Sequence, residues 1–293
     1  MRFNIEDHRD YCIASDTDSC FFSAEKFVKD KSEEEAIEIV RALAHKHSSL
    51  LNNQMGSFSL NLFNVKRHYF DFKTESIIKS AYWAGKRRYA QFIVDKEGVK
   101  VSELDMKGLD LMKSNFPPLF RDFGKSLIED LMFGKTKLEI DKKILDFRDS
   151  LKNIEWKKLL KPTGIKNLED YIAKKPNKGE IFSHLESGCP INTRSAIQYN
   201  DIVRYKKLDK KYPLFQVGDK MYISYLKDNP YRINCIGFNN FNNPPEIIEL
   251  IETYVDRDKI FESVMKKKIE KVYKDLGWGF PTFNRNIKKF FKF

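Results

Sequence analysis

The first apolar residues arrive in two short runs, Tyr11-Cys12-Ile13-Ala14 and Cys20-Phe21-Phe22, on either side of the polar stretch Ser15-Asp16-Thr17-Asp18-Ser19. Two such runs around small polar residues predict strand, tight turn, strand. Ser32 followed by Glu35 forms a capping box, and Ala36, Ile37, Val40, Leu43 and Ala44 continue it as a helix to about Leu51. From Phe58 to Lys73 the apolar and aromatic residues partly alternate (Phe58, Leu60, Leu62, then Tyr69, Phe70, Phe72), which predicts strands. Ala81 to Ile93 predicts a further strand pair around a basic cluster. A β-α-β-β region is therefore expected over roughly the first hundred residues.

Periodicity changes after Pro117-Pro118, two residues suited to a helix entry. Leu119, Phe123, Leu127, Ile128 and Leu131 fall at helical spacing, and Lys137 to Trp156 reads as a second helix. Pro162 to Pro190 is polar, carries Gly and Pro, and predicts loop with short helical pieces. Leu214-Phe215-Gln216-Val217, Gly218-Asp219 and Met221 to Tyr225 predict a hairpin. One or two helices follow Pro244-Pro245, through Ile247, Leu250, Ile251 and Tyr254, then Ile260 to Leu276. The apolar and basic end, Ile287 to Phe293, predicts a mobile tail, and no internal repeat is present.

Composition narrows the class. With 293 residues the chain can bury a core of one to three domains. The net charge of +11 is spread among 42 acidic residues, which fits a folded protein with basic faces and a polyanionic partner. Aromatic content of 14% argues against extended disorder. Cys12, Cys20, Cys189 and Cys235 show neither CxxC nor zinc spacing with His, and read as reduced thiols of a cytoplasmic protein. His45 and His47, two apart on a helix, point to different sides and read as surface residues. No signal peptide or membrane-spanning run is present in the sequence, so no membrane partner is expected.

Three clusters carry candidate chemistry. Asp16 and Asp18 place two carboxylates at a hairpin tip, where they repel unless a hard cation such as Mg²⁺ neutralises them. A plain turn, a polymerase metal site and a glycosyltransferase D-x-D all fit the tetrapeptide taken alone. Lys86-Arg87-Arg88-Tyr89 would place Arg87 and Tyr89 on one strand face and Lys86 and Arg88 on the other, a floor for a duplex or a charged edge strand. Lys107-Gly108, with Lys113, combines close backbone approach with flanking phosphate contacts, or is an ordinary strand-to-helix connection.

In this order the clusters resemble the carboxy-terminal part of the family B DNA polymerases. Ser15-Asp16-Thr17-Asp18-Ser19 is similar to the palm element written Tyr-Gly-Asp-Thr-Asp-Ser, with Ala14-Ser15 in place of Tyr-Gly. Lys86 to Tyr89 resembles the K-K-R-Y element that holds the primer-template minor groove, Arg87 changing the donor geometry of the second lysine. Lys107-Gly108 and Lys113-Ser114 resemble the lysine-glycine element at the palm-to-thumb junction. The replicative polymerases of large tailed bacteriophages are the most similar, with a thumb strand pair like Lys220 to Leu226 and an apolar end that docks on a sliding clamp. Ile287, Phe290, Phe291 and Phe293 resemble that end, here with Lys288, Lys289 and Lys292 among them.

The resemblance implies an α+β chain: an antiparallel, partial palm over 1–108, a mainly helical thumb with a β-hairpin over 109–285, and a clamp-binding tail over 286–293. It implies catalytic Asp16 and Asp18, with Asp18 a direct metal ligand, and possession of half of a two-Mg²⁺ site; Glu75 is a further palm carboxylate candidate. DNA contacts fall to Lys86, Arg87, Arg88, Tyr89, Lys107, Gly108 and Lys113. The family's Asp-x-x-Ser-Leu-Tyr-Pro element, fingers helix and 3′–5′ exonuclease are not found in this sequence. They lie upstream of the acidic turn in the family, so the expectation is a split DNA polymerase, inactive alone, whose amino-terminal chain carries them. A non-catalytic DNA-binding or processivity module is the alternative. A glycosyltransferase would need a nucleotide-sugar fold before the turn.

Overall fold

The computed structural model describes residues 11–16, 18–109 and 116–281. The chain is an α+β protein with antiparallel sheets, and it divides into two compact units, 1–109 and 110–293.

Unit 1 opens with the expected hairpin, β1 (Cys12–Asp16) and β2 (Ser19–Phe22), Asp16 pairing Ser19. A short α1 (Glu25–Val28) leads to α2 (Glu33–Phe63), which starts at the Ser32–Glu35 capping box. The helix runs twelve residues past the expected end, so Phe58, Leu60 and Leu62 are helical and the strand expected there does not form. Straight-chain and small residues carry the helix onward, and Asn64 ends it in the left-handed conformation at φ 55°. The segment after it returns along the helix without becoming a strand. The Asn52 side-chain amide meets the Phe72 backbone as a strand neighbour would, accepting its N–H at 2.7 Å and donating to its carbonyl at 2.9 Å. Only Ile37 and Ser59 of α2 are fully buried.

A three-stranded antiparallel sheet completes the unit, in the order β3 (Ser76–Gly85), β4 (Arg88–Lys96), β5 (Val99–Lys107). Its central strand is buried from Tyr89 to Asp95. Asp95 escapes the cost of a buried lone charge because Arg41 of α2 donates to it at 2.5 Å and the Gly98 N–H at 3.0 Å.

Unit 2 is mainly helical. α3 (Pro118–Met132) and α4 (Lys137–Ser150) form as the apolar spacing predicts, burying Phe120, Leu127, Ile128, Ile140 and Ile144. Phe123 and Phe147 stack at 3.7 Å between ring centroids. The second expected helix is shorter than the sequence pattern, giving way to 3₁₀ turns at Leu151–Asn153 and Trp156–Leu159. β6 (Lys161–Gly164) follows, then a small ribbon of β7 (Ile172–Lys174) and β8 (His184–Leu185).

α5 (Ile191–Tyr205) is buried on most of its faces, including Thr193, Ser195, Asn200 and Asp201. The expected hairpin is re-paired. β9 (Lys220–Tyr225) lies between β6 and β10 (Cys235–Phe238), and Leu214 to Val217 is not a strand. Instead the Asn200 amide accepts the Phe215 N–H at 2.8 Å and donates to its carbonyl at 2.9 Å, both groups buried. α6 (Pro245–Tyr254), α7 (Arg257–Phe261) and α8 (Lys267–Asp275) finish the unit, the last two joined by a π-helical stretch, Glu262–Lys266.

The Asn200 contact makes a direct prediction. Asn200→Ala leaves the Phe215 N–H and C=O buried without partners and should cost about 2 kcal/mol or more, read as a lower urea midpoint.

Candidate metal and nucleic-acid site

The β1–β2 hairpin turns through Thr17-Asp18, and Thr17 lies outside the described residues. The Ser19 hydroxyl donates to the Asp16 carbonyl at 3.1 Å, closing the turn. Asp18 is exposed and, among the described residues, is ion-paired to no cation. Asp16 is different. Arg87 Nε lies 3.4 Å from Asp16 Oδ1, with both side chains substantially exposed, so the pair is worth at most about 1 kcal/mol. The weak pair fixes position more than it stabilises.

Arg87 reaches Asp16 from a turn, not from a strand as the sequence reading had it. Gly85 pairs Arg88 across the β3–β4 hairpin, leaving Lys86-Arg87 as its two-residue loop. Gly85 at φ 145° and Arg87 at φ 57° turn the chain there. The expected sharing of faces between Arg87 and Tyr89, and between Lys86 and Arg88, therefore does not apply. Lys86 and Arg87 are exposed at the tip, Arg88 opens β4, and the Tyr89 ring is buried. Gly85 before a polar pair was the available signal for a tight hairpin.

The lysine-glycine pair packs against this basic turn. Lys107 ends β5 opposite Tyr89, its Nζ 5.7 Å from the ring centroid. The Tyr89 hydroxyl and then the Asp105 carboxylate, 3.7 Å away, hold the Lys107 ammonium above the ordinary lysine range. Gly108 has φ 63°, and a Cβ there would sit 2.1 Å from the Arg87 carbonyl oxygen. No side chain fits. The glycine thus lets the end of β5 press against the basic turn.

An aromatic wedge holds the acidic hairpin to the sheet. Phe21 of β2 meets Trp83 at 4.8 Å and Tyr89 at 6.2 Å, and Trp83 meets Tyr89 at 4.9 Å. Phe21, Trp83 and Asp105 were not singled out from the sequence; Phe21 had an audible signal as the aromatic beside the acidic turn, whereas Asp105 looked like any strand carboxylate. Gln91 donates to Asp105 at 3.1 Å, steadying the group beside Lys107.

Asp16, Arg87, Tyr89, Lys107 and Gly108, drawn from three sequence clusters, therefore converge. Glu75 precedes β3, is exposed, and lends its carbonyl to the Glu97 N–H. Among the described residues no three His, Cys, Asp or Glu side chains group as metal ligands. Lys113 and the tail residues Ile287, Phe290, Phe291 and Phe293 lie outside the described residues.

A model of the divergent family B DNA polymerases matches residues 3–178. The chain belongs to that family. It is also similar to the DNA-directed DNA polymerase of Escherichia phage RB69, with 21% identity over 281 residues. That match takes in 89% of this chain and 30% of the relative, so the chain spans less than a third of the polymerase it resembles. Charge divides unevenly within it. Residues 1–109 carry 17 Lys and Arg against 17 Asp and Glu, and residues 110–293 carry 36 against 25. Among the described residues no helix is long and apolar enough to cross a membrane.

Gly108→Ala should cost more than about 1 kcal/mol from the left-handed backbone alone, with the Arg87 clash in addition. Denaturant melting reads that loss; weakened primer-template binding out of proportion to it would show that the basic turn had moved.

Proposed function

We propose that this chain supplies the carboxy-terminal portion of a family B DNA polymerase, from the acidic palm turn through the thumb, and that a second polypeptide completes it. The observation that carries the reading is the 3.4 Å approach of Arg87 to Asp16, which sets a cation-bearing turn beside a carboxylate-bearing turn in a member of this family. Carboxylates there suit a hard metal ion, and cations beside them suit the phosphates of a primer end.

Oxygen donors at one turn fit Mg²⁺, whose octahedral shell draws on a few carboxylates, water and substrate phosphates. Asp18, exposed and unpaired among the described residues, would be the direct ligand, and Asp16, engaged by Arg87, the supporting carboxylate. When bound, Mg²⁺ would supply activation of a primer hydroxyl and neutralise leaving-group charge. Arg87 and Lys86 would hold the duplex backbone, with Arg88, Lys107 and Lys113 in support. Tyr89 and Gly108 would set the height of the basic turn. Such synthesis would take place in the cytoplasm of a host cell.

Three observations support a partner polypeptide. The chain matches only 30% of its phage relative. The β1–β2 sheet has just two strands, an arrangement marginal by itself, and its Ile13 and Phe22 are about half exposed. The far half of α2 and the returning segment expose Leu50, Phe58, Leu62, Phe63, Tyr69 and Phe70. A patch of that kind fits burial against protein. The partner would contribute the second metal-binding carboxylate, the helix that grips the incoming triphosphate, and the exonuclease. The tail Ile287, Phe290, Phe291 and Phe293 would dock on a sliding clamp.

Reconstitution tests the reading. The chain alone should extend no primer, and mixing it with the polypeptide carrying the remaining palm, fingers and exonuclease should restore extension. Extension by the chain alone would overturn the split. In the mixture, Asp18→Ala should lower extension about a hundredfold or more while primer-template binding persists. Unchanged extension would favour a non-catalytic binding module.

The clamp assignment is tested by truncation. Deleting 287–293 should remove the stimulation of synthesis by the clamp and leave distributive synthesis intact. Stimulation that survives the deletion argues against the tail.

A further inference from the structure

Phe241 is 92% exposed, more so than any other large apolar side chain among the described residues. Its loop is nevertheless closely fixed. Asn243 Oδ1 accepts the Asn239 N–H at 2.7 Å, and the Asn243 amide donates back to the Asn239 carbonyl. Asn239 Oδ1 in turn accepts the Phe241 N–H at 3.0 Å. Below the loop, Phe238 is buried against Trp156, with ring centroids 4.9 Å apart. Above it, Pro244 is buried and Pro245 opens α6. The ring therefore stands on a backbone already ordered, and a ligand that uses it pays little conformational entropy.

The surroundings are cationic. Asn242 Nδ2 donates to the Lys211 carbonyl at 3.4 Å, tying the loop to the strip that follows α5. That strip, Arg204 to Lys211, holds five cations and one carboxylate, and its Tyr205 is about half exposed. An exposed, preorganised aromatic beside several lysines is the pairing that binds single-stranded nucleic acid: every base offers a π-face, and the cations follow the phosphates.

We propose that the Phe241 loop and the Arg204–Lys211 strip form a stacking site for an unpaired nucleotide. A base within a duplex has both faces covered by its neighbours, so a ring at a loop apex reaches only bases that are single-stranded or already unstacked. The site selects for strandedness and not for sequence. It rests on the reading that this chain binds nucleic acid, and it holds without any synthetic activity of the chain itself.

Fluorescence anisotropy of the full chain with a short labelled oligothymidylate tests the site, with a blunt duplex of equal length alongside. Phe241→Ala should weaken single-strand binding roughly tenfold, and Phe241→Trp should restore it. Phe241→Leu should behave like the alanine variant, because it keeps apolar surface without a π-face. Duplex binding should be unchanged in all three, whose exposed position leaves folding intact. Lys210→Glu with Lys211→Glu should weaken single-strand binding and flatten its salt dependence. Wild-type affinity in Phe241→Ala, or in Phe241→Leu, would overturn the proposal. A failure of that kind with Arg87→Ala still impairing duplex binding would sink the stacking site alone and leave the polymerase reading standing.

Discussion

Backbone that is buried outside helices and sheets must still find hydrogen-bond partners, and much of this chain is built around that requirement. Asparagine meets it repeatedly. Asn52 holds the segment returning along α2, and Asn200 holds the stretch before β9. Asn229 donates to the carbonyls of Lys227 and Ile233 and accepts the Tyr231 N–H, closing the loop between β9 and β10. In each case one side-chain amide stands in for a strand neighbour, offering a donor and an acceptor together. The chain can therefore keep long irregular connections without leaving polar groups stranded.

At the candidate site the governing contact is steric. Gly108 lets the end of β5 lie against the carbonyl of Arg87, and any larger residue would push the basic turn outward. The two-residue turn has no slack, since Gly85 and Arg88 are already paired. Phe21, Trp83 and Tyr89 then fix the acidic hairpin relative to that turn. Opposite charges at Asp16 and Arg87 are brought together by packing and contribute little to stability themselves. That suits groups whose business is with ions and phosphates from outside.

The acidic hairpin, the capping box at Ser32, and α3, α4 and α6 were legible because each has a local cause: turn residues, a cap, or apolar spacing of three and four. The strip from Phe58 to Leu62 misled because alternation at 58, 60 and 62 imitates a strand, while the apolar side chains are exposed and no burial stripe reveals the helix. α5 gave no signal for the opposite reason. With Thr193, Ser195, Asn200 and Asp201 buried beside Ala196 and Ile197, it has no polar face to contrast with an apolar one. The pairing of β6 with β9 was hidden as well, since Lys161-Pro162-Thr163-Gly164 reads as a loop and becomes a strand only through its distant neighbour. Of the site, residue types and order were readable; that Arg87 occupies a turn was not.

The π-helical stretch between α7 and α8 bears on how this sequence can change over time. Phe261, Met265, Ile269 and Tyr273 are all fully buried and spaced four apart. In an ordinary α-helix each such step rotates the side chain by about 40°, so the series would swing off its face within three steps. The wider turn at Glu262–Lys266 absorbs part of that drift and keeps the row aligned. Loss of one residue there would restore regular winding and misalign everything after it. The helix is thus tolerant of substitution along its outer side but intolerant of a change in length, which makes its residue count, more than its composition, the inherited trait.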